Sequence, residues 1–176
     1  IMLSIKQILN NCIIDKSVDD LANFDVEYML LRIRAQSVNN VMNVSVRDPD
    51  TKEKVEIEIN VDEITLHVPE GHEKEIRIDD QNILVMRYPS VDQLKFVLQP
   101  EQKSEAAFRT MMTCMKSLVS GDVIYDLSSY SEKELTEFVD SLNTATLQQV
   151  KKFFQTMPKL RVSKTYKRSD GTEKTL

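Results

Sequence analysis

The sequence predicts an α+β protein in which a small antiparallel β-sheet, built from hairpins, packs with several α-helices. Three features carry this expectation. Apolar residues recur at every third or fourth position before Val38 and again after Ser104; they alternate with polar ones between Val41 and Tyr88; and Ser131-Glu132-Lys133-Glu134 has the form of a helix capping box. The chain has 176 residues, 41% of them hydrophobic and 29% charged. That is long enough for one domain with a real core, or for two small lobes sharing one, with a single compact unit as the default expectation, and the balance is that of an ordinary folded protein.

In the opening segment Ile1, Ile5, Ile8, Leu9 and Cys12 follow helical spacing, so one stripe is expected to face a core, with the helix ending near Asn10-Asn11. The chain starts inside this apolar pattern without a cap or turn, and the native N-terminus is expected upstream. A second helix is signalled by Asn23 as N-cap, Asp25 and Glu27 in the first turn and Arg32 with Arg34 in the last, a charge order that complements the helix dipole. Phe24, Val26, Tyr28, Met29, Leu30, Leu31 and Ile33 make it apolar almost all round, so it is expected to be central.

From Val41 the period becomes two. Val44 and Val46 precede the turn Asp48-Pro49-Asp50-Thr51, and Val55, Ile57, Ile59 and Val61 follow it, which predicts a hairpin. Further strands are expected at Ile64 to Val68, at Glu75 to Ile78 and at Ile83 to Tyr88, the last two joined by Asp79-Asp80-Gln81-Asn82. Together they predict one small sheet, apolar on one face and acidic on the other.

Pro89 and Pro100 bracket a short piece expected to be helical. Ser104 is then placed to cap a long helix carrying Phe108, Met111, Met112, Met115, Leu118 and Val119, with Gly121 to end it. The capping box at Ser131, with Tyr130 and Leu135 as a hydrophobic staple, opens a helix whose stripe is Leu135, Phe138, Val139 and Leu142. Leu147, Val150, Phe154 and Met157 line the next helix, which Pro158 stops. Val162, Thr165 and Tyr166 with the turn Ser169-Asp170-Gly171-Thr172 predict a terminal hairpin. The expected organisation is thus N-terminal helices over 1–40, an antiparallel β region over 41–88, a helical region over 89–158 and a C-terminal hairpin or tail over 159–176.

The formal charge of -5 argues against a general nucleic-acid binder, which draws its affinity for phosphate from clustered Lys and Arg. Asp48 to Asp80 holds twelve acidic and four basic residues, whereas Lys159 to Leu176 holds six basic and two acidic. The plainer reading of this asymmetry is solvated surface; the alternative is that the two stretches attract each other or separate partners. Cys12 and Cys114 sit among helical apolar residues and are expected as reduced, buried thiols in a reducing cytoplasm. No stretch has the length of uncharged apolar sequence that a membrane span needs.

No catalytic, cofactor-binding or metal-ligating set emerges, and partner-binding residues stay unassigned. Gly71, Gly121 and Gly171 are isolated, so no phosphate-binding loop is present. His67 and His72 are the only histidines; His67 shares a strand face with Thr65 and is expected to point to solvent. Two cysteines and two histidines have no zinc spacing. An acid pair for glycoside hydrolysis is defined by separation in space, so counting leaves it open. Trp is absent and aromatics are only 6%, a poor supply of sugar-stacking surfaces. Met111, Met112 and Met115 read as core filling, with an adaptable partner surface as the alternative.

Several blocks carry a resemblance. Ile8-Leu9-Asn10-Asn11-Cys12-Ile13, Phe24-Asp25-Val26-Glu27-Tyr28, Leu31 to Val38, Met86-Arg87-Tyr88-Pro89-Ser90, Tyr130 to Leu135, and Phe153 to Leu160 follow one another in the expected order. In this the chain resembles the hub-protein family of T4-type phage baseplates, across nearly its whole length. The resemblance implies a role in assembling the central hub of a contractile tail, either as a component of the particle or as an assembly chaperone that leaves it. It carries no enzymatic site. It implies other tail and baseplate hub proteins as partners, with the tape measure protein as a further candidate, and neither nucleic acid nor membrane. The expected location is the host cytoplasm during assembly and the tail baseplate of the virion. It also implies a further N-terminal stretch before Ile1. Some relatives carry cysteine pairs in their hairpin turns, where this sequence has Arg47-Asp48-Pro49-Asp50 and Arg168-Ser169-Asp170-Gly171, so no zinc ribbon is implied here.

Overall fold

In a computed structural model, which describes residues 2–14, 17–91 and 103–176, the chain is an α+β protein. It opens with helices α1 (Met2–Cys12) and α2 (Asn23–Ser37), followed by strands β1 (Val41–Arg47), β2 (Lys54–Asn60), β3 (Thr65–His67), β4 (Glu75–Arg77) and β5 (Asn82–Met86). Helix α3 (Lys103–Thr113), strands β6 (Met115–Ser120) and β7 (Val123–Asp126), and helices α4 (Glu132–Ser141) and α5 (Thr144–Gln155) come next. Strands β8 (Lys159–Arg161), β9 (Thr165–Lys167) and β10 (Glu173–Thr175) complete the order. The chain divides into two compact units, Ile1–Val26 with Val68–Met157, and Glu27–His67 with Pro158–Leu176.

The first unit is organised on a four-stranded antiparallel sheet in the order β4-β5-β6-β7. The β4–β5 turn is closed by Asp79, whose carboxylate accepts the Gln81 and Asn82 N–H groups at 2.8 and 2.9 Å, the way an Asx turn replaces backbone pairing. Strand β5 is the centre of the unit: Leu84 and Met86 are 0% and 1% exposed, and they join Ile76, Met112, Met115, Val139, Val150 and Phe153 in one core. The α4 cap forms as the sequence predicts. Ser131 Oγ accepts the Glu134 N–H and Glu134 returns a carboxylate oxygen to the Ser131 N–H at 2.8 Å.

The second unit contains three two-stranded pairings, β1–β2, β3–β8 and β9–β10. The β1–β2 hairpin runs in register from Val41↔Asn60 to Arg47↔Lys54, and β9 and β10 meet around the expected Ser169–Thr172 turn. Within this unit Ile57, Val61, Ala35 and Tyr166 are buried.

Five expectations need correction. The long helix through Val119 ends at Thr113, and Met115–Ser120 is instead a strand between β5 and β7. Met115, Leu118 and Val119 continue the helical spacing of Met111 and Met112, which stay on α3, but pairing with β5 and β7 on both sides makes Met115–Ser120 a strand. Gly121 therefore does not cap a helix: at φ 57° it takes the first position of the two-residue turn to Val123, where positive φ is required. The single sheet expected over 41–88 is divided, because β3 pairs with β8 from the far end of the chain. Helix α2 is not central throughout; Val26 and Ala35 are buried, but Tyr28 is 42% exposed and the other apolar residues are half-buried. On α1, Leu9 faces inward, whereas Ile8 and Cys12 are exposed, so only Cys114 is the buried thiol foreseen. The piece between Pro89 and Pro100 falls largely on 92–102, outside the described residues, and the side chain of Ser104 is likewise not described.

Candidate functional site

Among the described residues, chemistry-bearing side chains gather in two places, one in each unit. In the second unit, Asp48 stands at the start of the β1–β2 turn with its side chain wholly buried. A buried carboxylate is tolerated only when its lone pairs are filled. Its oxygens accept the Asp50 and Thr51 N–H groups at 2.8 and 3.0 Å, Arg168 Nε and Nη2 at 2.8 and 3.1 Å, and the Tyr166 hydroxyl. Arg168 also pairs with Asp50, Lys174 Nζ reaches Asp50 at 2.9 Å, and Ser169 Oγ donates to Glu53 at 2.8 Å.

The fork of Arg168 on Asp48 is the bidentate arrangement that suits a guanidinium. It is the main reason the Asp48 carboxyl is held well below the usual carboxylate range, and Asp48 in turn holds Arg168 above the ordinary arginine value. The Tyr166 hydroxyl is pushed up by burial and then by its bond to Asp48. Near neutral pH this cluster has no proton to exchange. It is an ionic clamp between two hairpin turns, the β1–β2 turn that Asp48 opens and the β9–β10 turn that Arg168 leads into. The acidic and basic stretches of the sequence are thus partly matched to each other, a link reinforced by the Lys164–Glu63 ion pair.

In the first unit, the ring of His72 is stacked against Tyr88 and Phe153, with centroids 5.7 and 5.3 Å away. Its Nδ1 lies 2.9 Å from Thr156 Oγ1 and its Nε2 lies 3.0 Å from the Tyr88 hydroxyl. Thr156 Oγ1 donates to the Lys152 carbonyl, so it accepts from Nδ1–H, and Nε2 is left to accept from Tyr88. Lys74 Nζ sits 4.3 Å from the centre of the Tyr88 ring. Burial and then the Lys74 charge lower the His72 pKa. Both ring nitrogens of this neutral imidazole are already used by hydroxyl groups.

His67 is exposed as expected, though not because of its face: all of β3 is exposed, Leu66 on the opposite face included. The histidine with a built environment is His72, which no sequence spacing singles out. Cys114 is fully buried and its thiol is pushed up to about 12 by burial, so it stays protonated and unreactive at neutral pH. Met112 and Met115 are 3% and 1% exposed, so the methionines fill the core. Tyr88-Pro89 and Met157-Pro158 also have structural places: Tyr88 belongs to the aromatic stack, the Pro89 carbonyl accepts the Asn23 N–H, and Met157 packs on the core of the first unit.

Among the described residues no group of three or more His, Cys, Asp or Glu side chains could hold a metal ion, and no helix is long and apolar enough to cross a membrane. A cleft of about 370 Å³ in the first unit, bordered by Arg87, Arg109, Met112 and Leu127, has its guanidiniums engaged. Arg87 Nε donates to the Thr113 carbonyl at 2.7 Å and Arg109 pairs with Glu105 and Glu132. The arrangement offers surfaces, clefts and internal braces.

A family model described as T4 bacteriophage base plate protein matches residues 1–176, the whole chain. The chain belongs to this family. No curated protein and no solved structure matches it. The baseplate-family protein therefore devotes its best-organised polar clusters, around Asp48 and His72, to joining segments far apart in its own sequence.

Proposed function

We propose that this baseplate-family protein is a non-enzymatic component of the baseplate hub that acts through protein–protein contacts. The observation that carries the reading is the family match over the full chain. It agrees with the use of the Asp48 and His72 clusters as braces, since each titratable group in them has its partners within the fold. The partners are other tail and baseplate hub proteins, with the tape measure protein as a further candidate. Nucleic acid and membrane are not among them, in keeping with the acidic net charge. The protein acts in the host cytoplasm during assembly and then in the tail baseplate.

The assembly-chaperone alternative would draw on an adaptable methionine surface or on the acidic face of the β region. Met112 and Met115 are buried, so its support is the acidic face, where Glu56 and Glu58 are exposed. Co-expression with the hub proteins of the same phage, followed by size-exclusion chromatography with light scattering, tests the proposal. A stable complex of defined stoichiometry is expected. Association lost on further assembly of the hub would favour the chaperone, and turnover of peptidoglycan by the purified chain would contradict the non-enzymatic reading.

A further inference from the structure

Among the described residues, strand β7 is an edge strand, paired with β6 alone. Its three apolar residues, Val123, Ile124 and Tyr125, are 50%, 69% and 41% exposed, so apolar side chains project from both faces of the strand. Ser120 pairs with Val123 across the two-residue turn. The alternation of an antiparallel ladder then turns the N–H and C=O of Val123 and Tyr125 toward β6 and those of Ile124 away from it. The Gly121 N–H, given to the Gln81 carbonyl at 3.0 Å on the other side of β6, obeys the same alternation. Among the described residues no hydrogen bond engages the Ile124 backbone.

An edge of this kind is a template for another strand, and folded proteins ordinarily blunt it with a central charge, a proline or a bulge. The opposite edge, β4, is blunted: exposed Glu75 and Arg77 flank its one buried residue, Ile76. Along β7 no such device interrupts the apolar triplet.

The charges beside the triplet say what fits. Asp122 and Asp126 bracket it, and both are exposed. A second copy of the chain pairing antiparallel about Ile124 would set each Asp126 opposite the other copy's Asp122, placing like charges face to face at both ends. A strand with an apolar middle and Lys or Arg at both ends turns both repulsions into attractions. We infer that β7 receives, by strand addition, an extended segment of another protein that is apolar at its centre and basic at both ends. This deepens the reading of the chain as a contact protein and rests on it.

The test is a nitrogen-15 NMR titration of the full chain with two synthetic peptides. Each alternates valine and threonine through its middle; one is flanked by lysines and the other by glutamates. The lysine-flanked peptide is expected to shift the Ile124 and Asp126 amides saturably, with the glutamate-flanked peptide about tenfold weaker. Ile124→Pro removes the outward N–H at an edge position where proline is tolerated, and should abolish the response. Asp122→Lys leaves one attraction and one repulsion for either peptide and should erase the preference between them, which keeps the test decisive if the proline variant does not fold. Equal binding of both peptides, shifts confined to other surfaces, no binding, or a dimer of the chain that Ile124→Pro dissolves would each overturn the inference. None of these outcomes alters whether the chain is part of the baseplate, so the two readings fail separately.

Discussion

Asp48 shows how much a single residue can do that its neighbours in sequence do not announce. In the sequence it is one more turn-former beside Pro49; in the fold it is a wholly buried anion held by a guanidinium and a phenol from more than a hundred residues away. Breaking a buried ion pair strands the remaining charge. Asp48→Asn should lower the melting temperature by on the order of 10 °C, whereas Asp50→Asn, at a half-exposed position, should cost far less; thermal denaturation followed by circular dichroism checks both.

Two pH effects follow at the same scale. The Asp48 carboxyl titrates below its unfolded value, so its contribution is present above the ordinary carboxylate pKa of about 4 and is lost as acid brings the pH down toward the folded value. His72 is also lowered. The unfolded chain then binds the proton more readily, and stability declines as pH falls below about 6.5. Urea midpoints across this range should decline for the parent protein and flatten there in His72→Gln. Neither residue was legible as important, because spacing along the chain carries no information about such distant partners.

At the scale of elements, local rules worked where the determinants are local. The capping box of α4 and the β1–β2, β4–β5 and β9–β10 hairpins lie where turn chemistry and alternation put them. Ser131→Ala removes the cap hydroxyl and should cost about 1 kcal/mol in denaturant unfolding. The region around Met115 misled because its apolar spacing fits two periods, and its place as a central strand depends on β5, which lies outside any local window. Gly121 was visible, but its role was not. An added Cβ would meet nothing within 4 Å, so Gly121→Ala should cost only the left-handed conformation, about 1 kcal/mol, by the same measurement. Likewise, the pairing of β3 with β8 joins strands with most of the chain between them.

For the molecule as a whole, the fold class was readable from the succession of periods, while the division into two units from discontinuous stretches of chain was not. The core of the first unit depends on Leu84, fully buried at the centre of the sheet. Leu84→Ala should destabilise by about 3 kcal/mol through lost burial and the cavity left behind, read from urea unfolding. The candidate site was least legible of all, because a contact surface is defined by what remains exposed after folding, as β7 illustrates. The central claim is that this chain is a lasting part of the baseplate hub. Quantitative mass spectrometry of purified, infectious phage tails tests it most directly: a fixed integer copy number per tail is expected, and its absence from tails that retain the other hub proteins would contradict the account.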